Sequence, residues 1–271
     1  MSLPILPIGD YSIPQVGLGV WQVENVEQFK AAFDTAIKAG YRHFDTAQIY
    51  NNEQMLGDAW QASGIKREDL FFTTKVWLDN FTAGRMKKSV DKSLQQLQTE
   101  YIDLLLLHFP VTGLRKGAWK TMEELKANGK VRNIGVSNYT VRHLEAMKKY
   151  ASEMPAINQV ELHVFLQQPE LVGYCRENGI VLEAYSPLAH GKDMSNYVVQ
   201  QIADKHDKTY AQIMLRWCIE EGMVILPKSV TPSRIEENID LFDFELDSED
   251  LQKLTDCDRN LRTCWNPTLV P

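Results

Sequence analysis

The sequence predicts a (β/α)8 barrel, the TIM-barrel class of α/β fold, as one domain over residues 1–271 that opens with a short β-hairpin. The length of 271 residues is typical of one such barrel. Short apolar segments alternate with longer amphipathic segments along the whole chain, which predicts a parallel sheet covered by helices. Eight such units follow one another without a linker, and this favours a closed barrel over an open, doubly wound sheet.

The predicted strands are short, apolar segments rich in β-forming residues. They are Val16–Gly19, Arg42–Asp45, Phe71–Lys75, Ile102–Leu107, Asn133–Val136, Ile157–Glu161, Val181–Tyr185 and Val224–Pro227. Before the first of them, Leu3–Ile8 and Tyr11–Ile13 flank the turn pair Gly9-Asp10. We expect this segment to form a hairpin that plugs the bottom of the barrel.

The predicted helices show helical periodicity between these strands. They include Val26–Ala39, Gly84–Leu97, Lys116–Ala127, Val141–Tyr150, Pro169–Glu177 and Tyr210–Glu220. Glycines follow several helical patterns, where a left-handed residue closes the last turn at little cost: Gly40, Gly64, Gly129, Gly179 and Gly222.

Composition excludes several classes of protein. With 44% hydrophobic and 24% charged residues, the chain has the composition of a soluble globular protein. A net charge of −7 argues against a general nucleic-acid or anionic-membrane surface. The four cysteines match neither a zinc site nor a dense disulfide framework. The segment that begins Met1-Ser2-Leu3-Pro4 shows no secretory pattern, and no apolar run could span a bilayer. We therefore expect a soluble, cytoplasmic protein without a metal site. We also expect a monomer.

One glycine-rich segment matches a known cofactor-binding motif only in part. Residues 17–22 (GLGVWQ) begin like a dinucleotide-binding fingerprint, but Gln22 stands where the third glycine belongs. A Rossmann domain is therefore not predicted.

Polar residues end three consecutive strands, at the face of a (β/α)8 barrel where active sites lie. These residues are Asp45, Lys75 and His108, and Tyr50 follows Asp45 in the next loop. Each has an ordinary structural interpretation: a helix N-cap for Asp45, a solvated head for Lys75, and core packing for His108 and Tyr50. Because all four fall on one rim, we interpret them as a site.

Those four residue types suit proton donation. An unperturbed tyrosine has a pKa near 10 and is a poor donor at neutral pH. A lysine ammonium about 4 Å away stabilises a phenolate by roughly 4 kcal/mol at an effective dielectric constant near 20, which would lower the pKa of Tyr50 by almost three units. Asp45 would hold Lys75 charged and oriented while moderating that shift, and His108 would donate a hydrogen bond to a carbonyl oxygen. The set contains no hydride, so a cofactor must supply it.

Three long motifs, in the expected order, resemble those of the aldo-keto reductase family. They are residues 40–53 (GYRHFDTAQIYNNE), 134–139 (IGVSNY) and 225–238 (ILPKSVTPSRIEEN). The resemblance covers the chain from Val16 to about Arg262. It is greatest for short-tailed bacterial and protist members of the 2,5-diketo-D-gluconate reductase and methylglyoxal reductase type.

The resemblance implies NADPH-dependent reduction of small aldehydes and ketones, with Tyr50, Lys75, Asp45 and His108 as the catalytic tetrad. It also implies cofactor contacts. Those at the nicotinamide and pyrophosphate are Val20, Trp21, Ser137, Asn138, Gln159, Tyr185, Ser186, Pro187 and Leu188. Those at the adenosine 2′-phosphate and adenine are Lys228, Ser229, Arg234, Glu237 and Asn238. Two cations and a hydroxyl suit a dianionic phosphate.

The same resemblance implies that aromatic residues wall the substrate pocket: Trp21, Trp77, Phe109 and Trp119. Val20, Phe109 and Val164 depart from the residues common in the family. The chain continues only a short way past Leu261, from which we expect small or varied substrates rather than steroids.

Three alternatives stay open at this point. Lys75 could act as a Schiff-base nucleophile in an aldolase, although Asp45 would keep it charged. Glu161 and His163, on one face of a strand, could belong to a metal-dependent hydrolase, although no further ligand set is evident. The chain could also be a non-catalytic NADPH-binding barrel, such as a sensor or a structural or channel-associated subunit.

Overall fold

Alternating strands and helices build a barrel in the computed structural model of the chain, which describes residues 3–271. Met1 and Ser2 lie outside the described residues. They belong to the predicted domain and to the segment in which no secretory pattern is evident. The strands are β1 (Ile5–Ile8), β2 (Tyr11–Pro14), β3 (Gly17–Gly19), β4 (His43–Asp45), β5 (Phe71–Val76), β6 (Ile102–Leu107), β7 (Val131–Ser137), β8 (Ile157–Glu161), β9 (Val181–Tyr185) and β10 (Val224–Leu226).

The eight strands from β3 to β10 are parallel, and each pairs with its neighbours in chain order. Hydrogen bonds also join the first and last strands. Gly19 N donates to Pro227 O at 3.1 Å, and Ile225 N donates to Gln15 O at 2.9 Å. The predicted (β/α)8 barrel is therefore confirmed, and most strand boundaries agree within one or two residues.

Strand alternation separates the barrel interior from the layer beneath the helices. Along β6, Leu104 and Leu106 belong to a small cluster inside the barrel, whereas Leu105 and Leu107 belong to the large core that packs against the helices. At the level above the small cluster, side chains from several strands that contact one another across the interior are polar. The barrel is thus apolar at its bottom and polar toward its mouth.

The helices cover the outside of the barrel. They are α1 (Val26–Ala39), α2 (Glu53–Ser63), α3 (Ala83–Gln96), α4 (Arg115–Ala127), α5 (Val141–Met147), α6 (Pro169–Glu177), α7 (Tyr197–His206), α8 (Tyr210–Glu220), α9 (Pro232–Glu237) and α10 (Ser248–Thr255). In α1 the buried residues Phe29, Ala32, Phe33 and Ala36 recur at helical spacing. The Asn25 side chain caps its start, and Gly40, with φ of 106°, ends it.

The hairpin of β1 and β2 closes the bottom of the barrel, as predicted. Ile8 pairs with Tyr11 across the Gly9-Asp10 turn. Ile8 and Ile13 are buried in one cluster with Phe71, Ile157 and Val224, which lie at or near the beginnings of their strands. Because this end is packed with apolar side chains, the polar mouth lies at the opposite end.

Two observations concern residues 3–271 as a whole. No helix in this range combines the length and apolar character needed to cross a bilayer. The four cysteines, all within it, form no disulfide.

Candidate active site

The four residues predicted from the strand ends meet at the mouth of the barrel. Lys75 Nζ donates to Asp45 Oδ1 at 2.6 Å and to Thr46 O at 2.9 Å, and it lies 3.5 Å from Tyr50 Oη. Tyr50 reaches this position because a single 3-10 turn, Gln48–Tyr50, follows β4 directly. The ring of His108 lies edge-on to the Tyr50 ring, with 5.8 Å between centroids.

Lys75 and Asp45 form a buried ion pair; Lys75 is fully buried and Asp45 is 4% exposed. Burial acts to lower the pKa of the Lys75 ammonium, but the charges of Asp45 and Tyr50 outweigh it and the pKa is raised. Burial raises the pKa of the Asp45 carboxyl, against hydrogen bonds from Lys75 and Gln159. The lysine is therefore held as a cation beside the tyrosine hydroxyl.

The electrostatics of Tyr50 correct one expectation. Burial raises the pKa of the Tyr50 hydroxyl above 10.0, and it outweighs the opposing attraction of Lys75, part of which Asp45 offsets. The expected lowering of almost three units is therefore wrong for this site. Tyr50 is fully protonated at neutral pH, which is the form that a proton donor requires.

His108 is buried and electrically neutral. Burial, followed by repulsion from Lys75, lowers its pKa well below 6.5. Its Nδ1 has no hydrogen-bond partner among the described residues. Since a neutral imidazole carries one N–H, His108 can serve as a hydrogen-bond donor but not as a cation at neutral pH.

Three predicted cofactor residues lie beside this group. Asn138 follows β7 with a left-handed backbone, φ 64°, and its Nδ2 donates to His108 O and to Ser137 Oγ, both at 3.1 Å. Tyr185 Oη donates to Asn138 Oδ1 at 2.8 Å. Ser137, Asn138 and Tyr185 are thus one hydrogen-bonded group next to the tetrad.

The amide side chain of Gln159 contacts two carboxyl groups in the interior of the barrel. Its Nε2 donates to Asp45 Oδ2 at 2.8 Å and to Glu183 Oε2 at 2.6 Å. Its Oε1 makes no hydrogen bond within residues 3–271. Glu183 was not singled out from the sequence, because a glutamate in the middle of an apolar strand carries no local motif.

The loop after β9 lies near the predicted residue Trp21. Ser186 has a positive φ of 49° and its Oγ lies 2.7 Å from His190 Nε2; Pro187 and Leu188 follow it and are buried and partly buried. His190 packs edge-on against the Trp21 ring at 5.7 Å. Val20, after β3, is buried in the core.

The predicted phosphate and adenine residues lie on and after the loop that follows β10. Lys228 and Arg234 are exposed, and neither forms a salt bridge among the described residues. Ser229 is buried and its Oγ accepts from Thr231 N at 3.1 Å. Glu237 Oε1 instead accepts from Thr209 Oγ1 at 2.8 Å, which ties it to the start of α8, and the adjacent Asn238 is buried.

Aromatic side chains surround His108, but not all of those predicted. Trp77 packs against His108 at 5.2 Å. Trp265 packs against Trp77 at 5.8 Å, His108 at 6.2 Å and Phe109 at 6.0 Å.

Trp119 does not line the mouth of the barrel, contrary to the prediction. It is fully buried in α4, and its indole N–H donates to Glu153 O at 3.1 Å. A helical tryptophan on the inner face packs in the core and cannot line the mouth.

Trp265 was missed because its position depends on a contact distant in sequence. Glu161, at the end of β8, accepts from Thr263 N and Thr263 Oγ1, both at 2.6 Å, and from Cys264 N at 3.1 Å. A buried carboxylate thereby holds the C-terminal segment over the mouth. Glu161, considered above as a metal ligand, is engaged in this clamp and lies 3.3 Å from His163 Nε2.

Comparison with known proteins agrees with this geometry. The Aldo/keto reductase family model matches residues 15–259. The chain belongs to the aldo/keto reductase family. Family members use a nicotinamide cofactor, and the chain is accordingly an oxidoreductase of the carbonyl-reducing class rather than an aldolase or a hydrolase.

Relatives of this aldo/keto reductase include two bacterial enzymes. Glyoxal reductase of Bacillus subtilis is 46% identical over 255 residues, covering 94% of this chain and 92% of the relative. Methylglyoxal reductase of Escherichia coli O157:H7 is 42% identical over 259 residues, covering 94% and 93%. A solved structure, the Bombyx mori aldo-keto reductase in complex with NADP, superposes with a TM-score of 0.90 at 32% identity, covering 97% of this chain and 95% of that chain.

Proposed function

We propose that this aldo/keto reductase reduces small aldehydes and ketones to alcohols with NADPH, and that Tyr50 donates the proton. The observation that carries the proposal is the protonated Tyr50 hydroxyl 3.5 Å from Lys75 Nζ, which is itself paired with Asp45 at 2.6 Å. A donor must be protonated before the reaction and tolerate a negative charge after it. Burial of the phenol keeps Tyr50 protonated before the reaction, and the buried Lys75 ammonium stabilises the negative charge after it.

The other polar side chains have complementary roles. The neutral imidazole of His108 donates a hydrogen bond to the substrate carbonyl oxygen and so favours the developing alkoxide. Tyr50 then transfers its proton to that oxygen, and Lys75 stabilises the phenolate that is left. General acid catalysis of this kind contributes about 10²–10⁴-fold to a rate. Asp45 keeps Lys75 charged and oriented.

The chemistry of the donor set fits a nicotinamide cofactor, which when bound supplies the hydride. Ser137 and Asn138 offer a hydroxyl and an amide to a carboxamide, and the unbonded Oε1 of Gln159 can accept from its NH2 group. Tyr185 offers a ring face for stacking. These residues lie next to His108, which the carbonyl must also reach.

Preference for NADPH over NADH is supported by the loop after β10. Lys228 and Arg234 are exposed cations without a salt bridge among the described residues, so they are free to bind an added phosphate. Ser229 adds a hydroxyl. We assign this loop, with Glu237 and Asn238 at its edge, to the adenosine 2′-phosphate end.

The substrates proposed are small carbonyl compounds: 2-oxoaldehydes such as methylglyoxal, diketo sugar acids and aromatic aldehydes. Two relatives named for glyoxal and methylglyoxal reduction support the first class. The aromatic surface of Trp77, Phe109 and Trp265 around His108 suits a flat or small carbonyl group. Trp21, 43% exposed, lies beside the loop after β9 and is assigned to the same wall.

Tyr50→Phe tests the mechanism directly. We expect this variant to lose at least about 10²-fold in kcat for methylglyoxal, followed by the decrease in NADPH absorbance, because the general acid is removed. Its affinity for NADPH, measured by fluorescence titration, should be unchanged. Tyr101→Phe is the matched control: Tyr101 directly precedes β6, at the end of the barrel opposite the mouth, where it packs against Arg67 and Arg132, and the variant should turn over normally.

Full activity in Tyr50→Phe would contradict the assignment of the proton donor. If the native chain binds NADPH but consumes none across a panel of aldehydes and ketones, the alternative of a non-catalytic cofactor-binding barrel replaces the proposal. We further propose one domain over residues 1–271 and a monomer in solution, which light scattering at several concentrations tests.

A further inference from the structure

Glu183 is a fully buried carboxyl group in the interior of the barrel that the proposed reaction does not use. It lies on β9, between the apolar bottom and the tetrad. Its Oε2 accepts from Gln159 Nε2 at 2.6 Å, and the same nitrogen donates to Asp45 Oδ2 at 2.8 Å. One amide group therefore links Glu183 to the aspartate that holds Lys75.

The charged and titratable groups that face Glu183 come from two strands. From β4 they are Asp45 and His43, whose Nε2 lies 3.6 Å from Glu183 Oε1. From β5 it is Lys75. Burial lowers the pKa of His43 to about 3, so this imidazole is neutral and contributes no positive charge. Two buried carboxyl groups therefore share one buried cation.

Hydrogen bonding decides which carboxyl group keeps the negative charge. Asp45 accepts from the Lys75 ammonium and from Gln159. Glu183 accepts only from Gln159, and its Oε1 has no partner within residues 3–271. A buried, uncompensated carboxylate is strongly unfavourable, so the proton belongs on Glu183. In agreement, burial, followed by the charge of Asp45, raises the pKa of Glu183 from 4.5 to about 8.

We propose that Glu183 is a positioning residue for carbonyl reduction, whose protonated carboxyl group keeps the Asp45–Lys75 pair electrically neutral and leaves the lysine charge available to Tyr50. The inference rests on the proposed function of Tyr50. Loss of the Glu183 proton adds a second negative charge near Lys75. That charge opposes formation of the Tyr50 phenolate and slows proton donation.

The titration of Glu183 can be tested without any assay of activity. The folded chain binds the Glu183 proton more tightly than the unfolded chain does, so its stabilising contribution is complete below pH 4.5 and is lost as the pH rises to about 8. We expect the unfolding free energy of the native chain to fall relative to Glu183→Gln across this window. Infrared difference spectra of the native chain should show a buried protonated carboxyl band that disappears near pH 8 and is absent from Glu183→Gln.

The effect on catalysis is measured as the pH profile of kcat for NADPH-dependent reduction. We expect native kcat to fall roughly tenfold between pH 7 and pH 9.5, since a charge that shifts a neighbouring pKa by about one unit changes a rate about tenfold. Glu183→Gln, which keeps an acceptor for Gln159, should lose this alkaline limb. Glu53→Gln is the matched control, because Glu53 is another buried carboxyl with a raised pKa, bonded to Thr74 and Ser93; its profile should keep the limb.

The possible outcomes separate failure of the proposed function from failure of the role assigned to Glu183. A chain that reduces no carbonyl compound refutes the proposed function, while the infrared and unfolding data still report on Glu183. An active chain whose alkaline limb persists in Glu183→Gln refutes the positioning role. If Glu183→Gln does not fold, the infrared spectra of the native chain and of Glu53→Gln are compared. Absence of the protonated carboxyl band at pH 7 from either overturns the proposal.

Discussion

Each polar side chain at the barrel mouth takes its chemical character from its neighbours. Lys75 is a buried cation because Asp45 lies 2.6 Å away. Burial and that cation together keep His108 neutral. Burial keeps Tyr50 protonated despite the nearby ammonium. By contrast, Arg234 and Lys228 are exposed and form no salt bridge within the described residues, so their charges are available to a ligand.

Arg234→Ala tests this assignment. We expect the Kd for NADPH to rise about 10- to 100-fold, since a hydrogen bond to a charged group contributes roughly 1.5–3 kcal/mol. The Kd for NADH, which has no 2′-phosphate, should change little. Both constants are obtained by fluorescence titration.

The control for Arg234→Ala is Lys88→Ala. Lys88 is an exposed cation on α3 that forms no salt bridge among residues 3–271, so its removal alters net charge equally but should leave both cofactor affinities unchanged. Equal losses for NADPH and NADH in Arg234→Ala would argue against the phosphate assignment.

At the scale of the element, the C-terminal segment lies beside the aromatic group around His108 because it is anchored at two places. Glu161, at the end of β8, binds the backbone N–H groups of Thr263 and Cys264. Farther along, His143 on α5 donates from Nε2 to Val270 O at 2.9 Å. Trp265, 54% exposed, lies between these anchors and contacts the aromatic group around His108. The segment needs no regular secondary structure to hold this position.

Glu161→Ala is expected to loosen this segment, because two partly buried N–H groups, those of Thr263 and Cys264, lose their acceptor. Trypsin should cleave after Arg262 about tenfold faster, and the KM for an aromatic aldehyde should rise more than kcat falls. Glu221→Ala removes a surface carboxylate paired with Arg176 and serves as the control. Unchanged proteolysis in Glu161→Ala would show that the tail is held elsewhere.

At the scale of the whole molecule, closure of the barrel requires small residues where strands approach closely. Gly17 lies on β3, beside the junction with β10. A Cβ atom there would lie 2.5 Å from His43 Nδ1 and 2.8 Å from Leu226 Cδ2. Such distances are shorter than any normal contact, so the side chains of β4 and β10 occupy the space that glycine leaves.

Gly17→Ala should therefore destabilise the chain by about 1–3 kcal/mol through overpacking, as measured by denaturant unfolding. Gly84→Ala, in α3, has no atom within 4 Å of the added methyl group, and we expect it to be neutral or to stabilise by about 0.5–1 kcal/mol. Equal stability of the two variants would mean that the barrel relaxes around Gly17 at no cost.

Much of this architecture could be predicted because it depends on local sequence patterns. The bounds of α1 and α8, and of β6, β8 and β9, agree with those predicted from periodicity and apolar runs. The convergence of Asp45, Lys75 and His108 followed from a rule of topology, since the carboxyl ends of parallel strands meet at one end of a barrel. Three contacts did not follow: Trp265 over His108, Trp119 in the core, and Gln159 between two carboxyl groups.

The sequence by itself determined the strand and helix order, the residues that end each strand, and the family motifs, because all of these depend on neighbours along the chain. Only the tertiary structure decided that Tyr50 is harder rather than easier to ionise, that Trp119 packs in the core while Trp265 packs against His108, and that Glu183 shares a cation with Asp45. The physical reason is that burial and charge–charge distances are set across the barrel, between residues far apart in the chain.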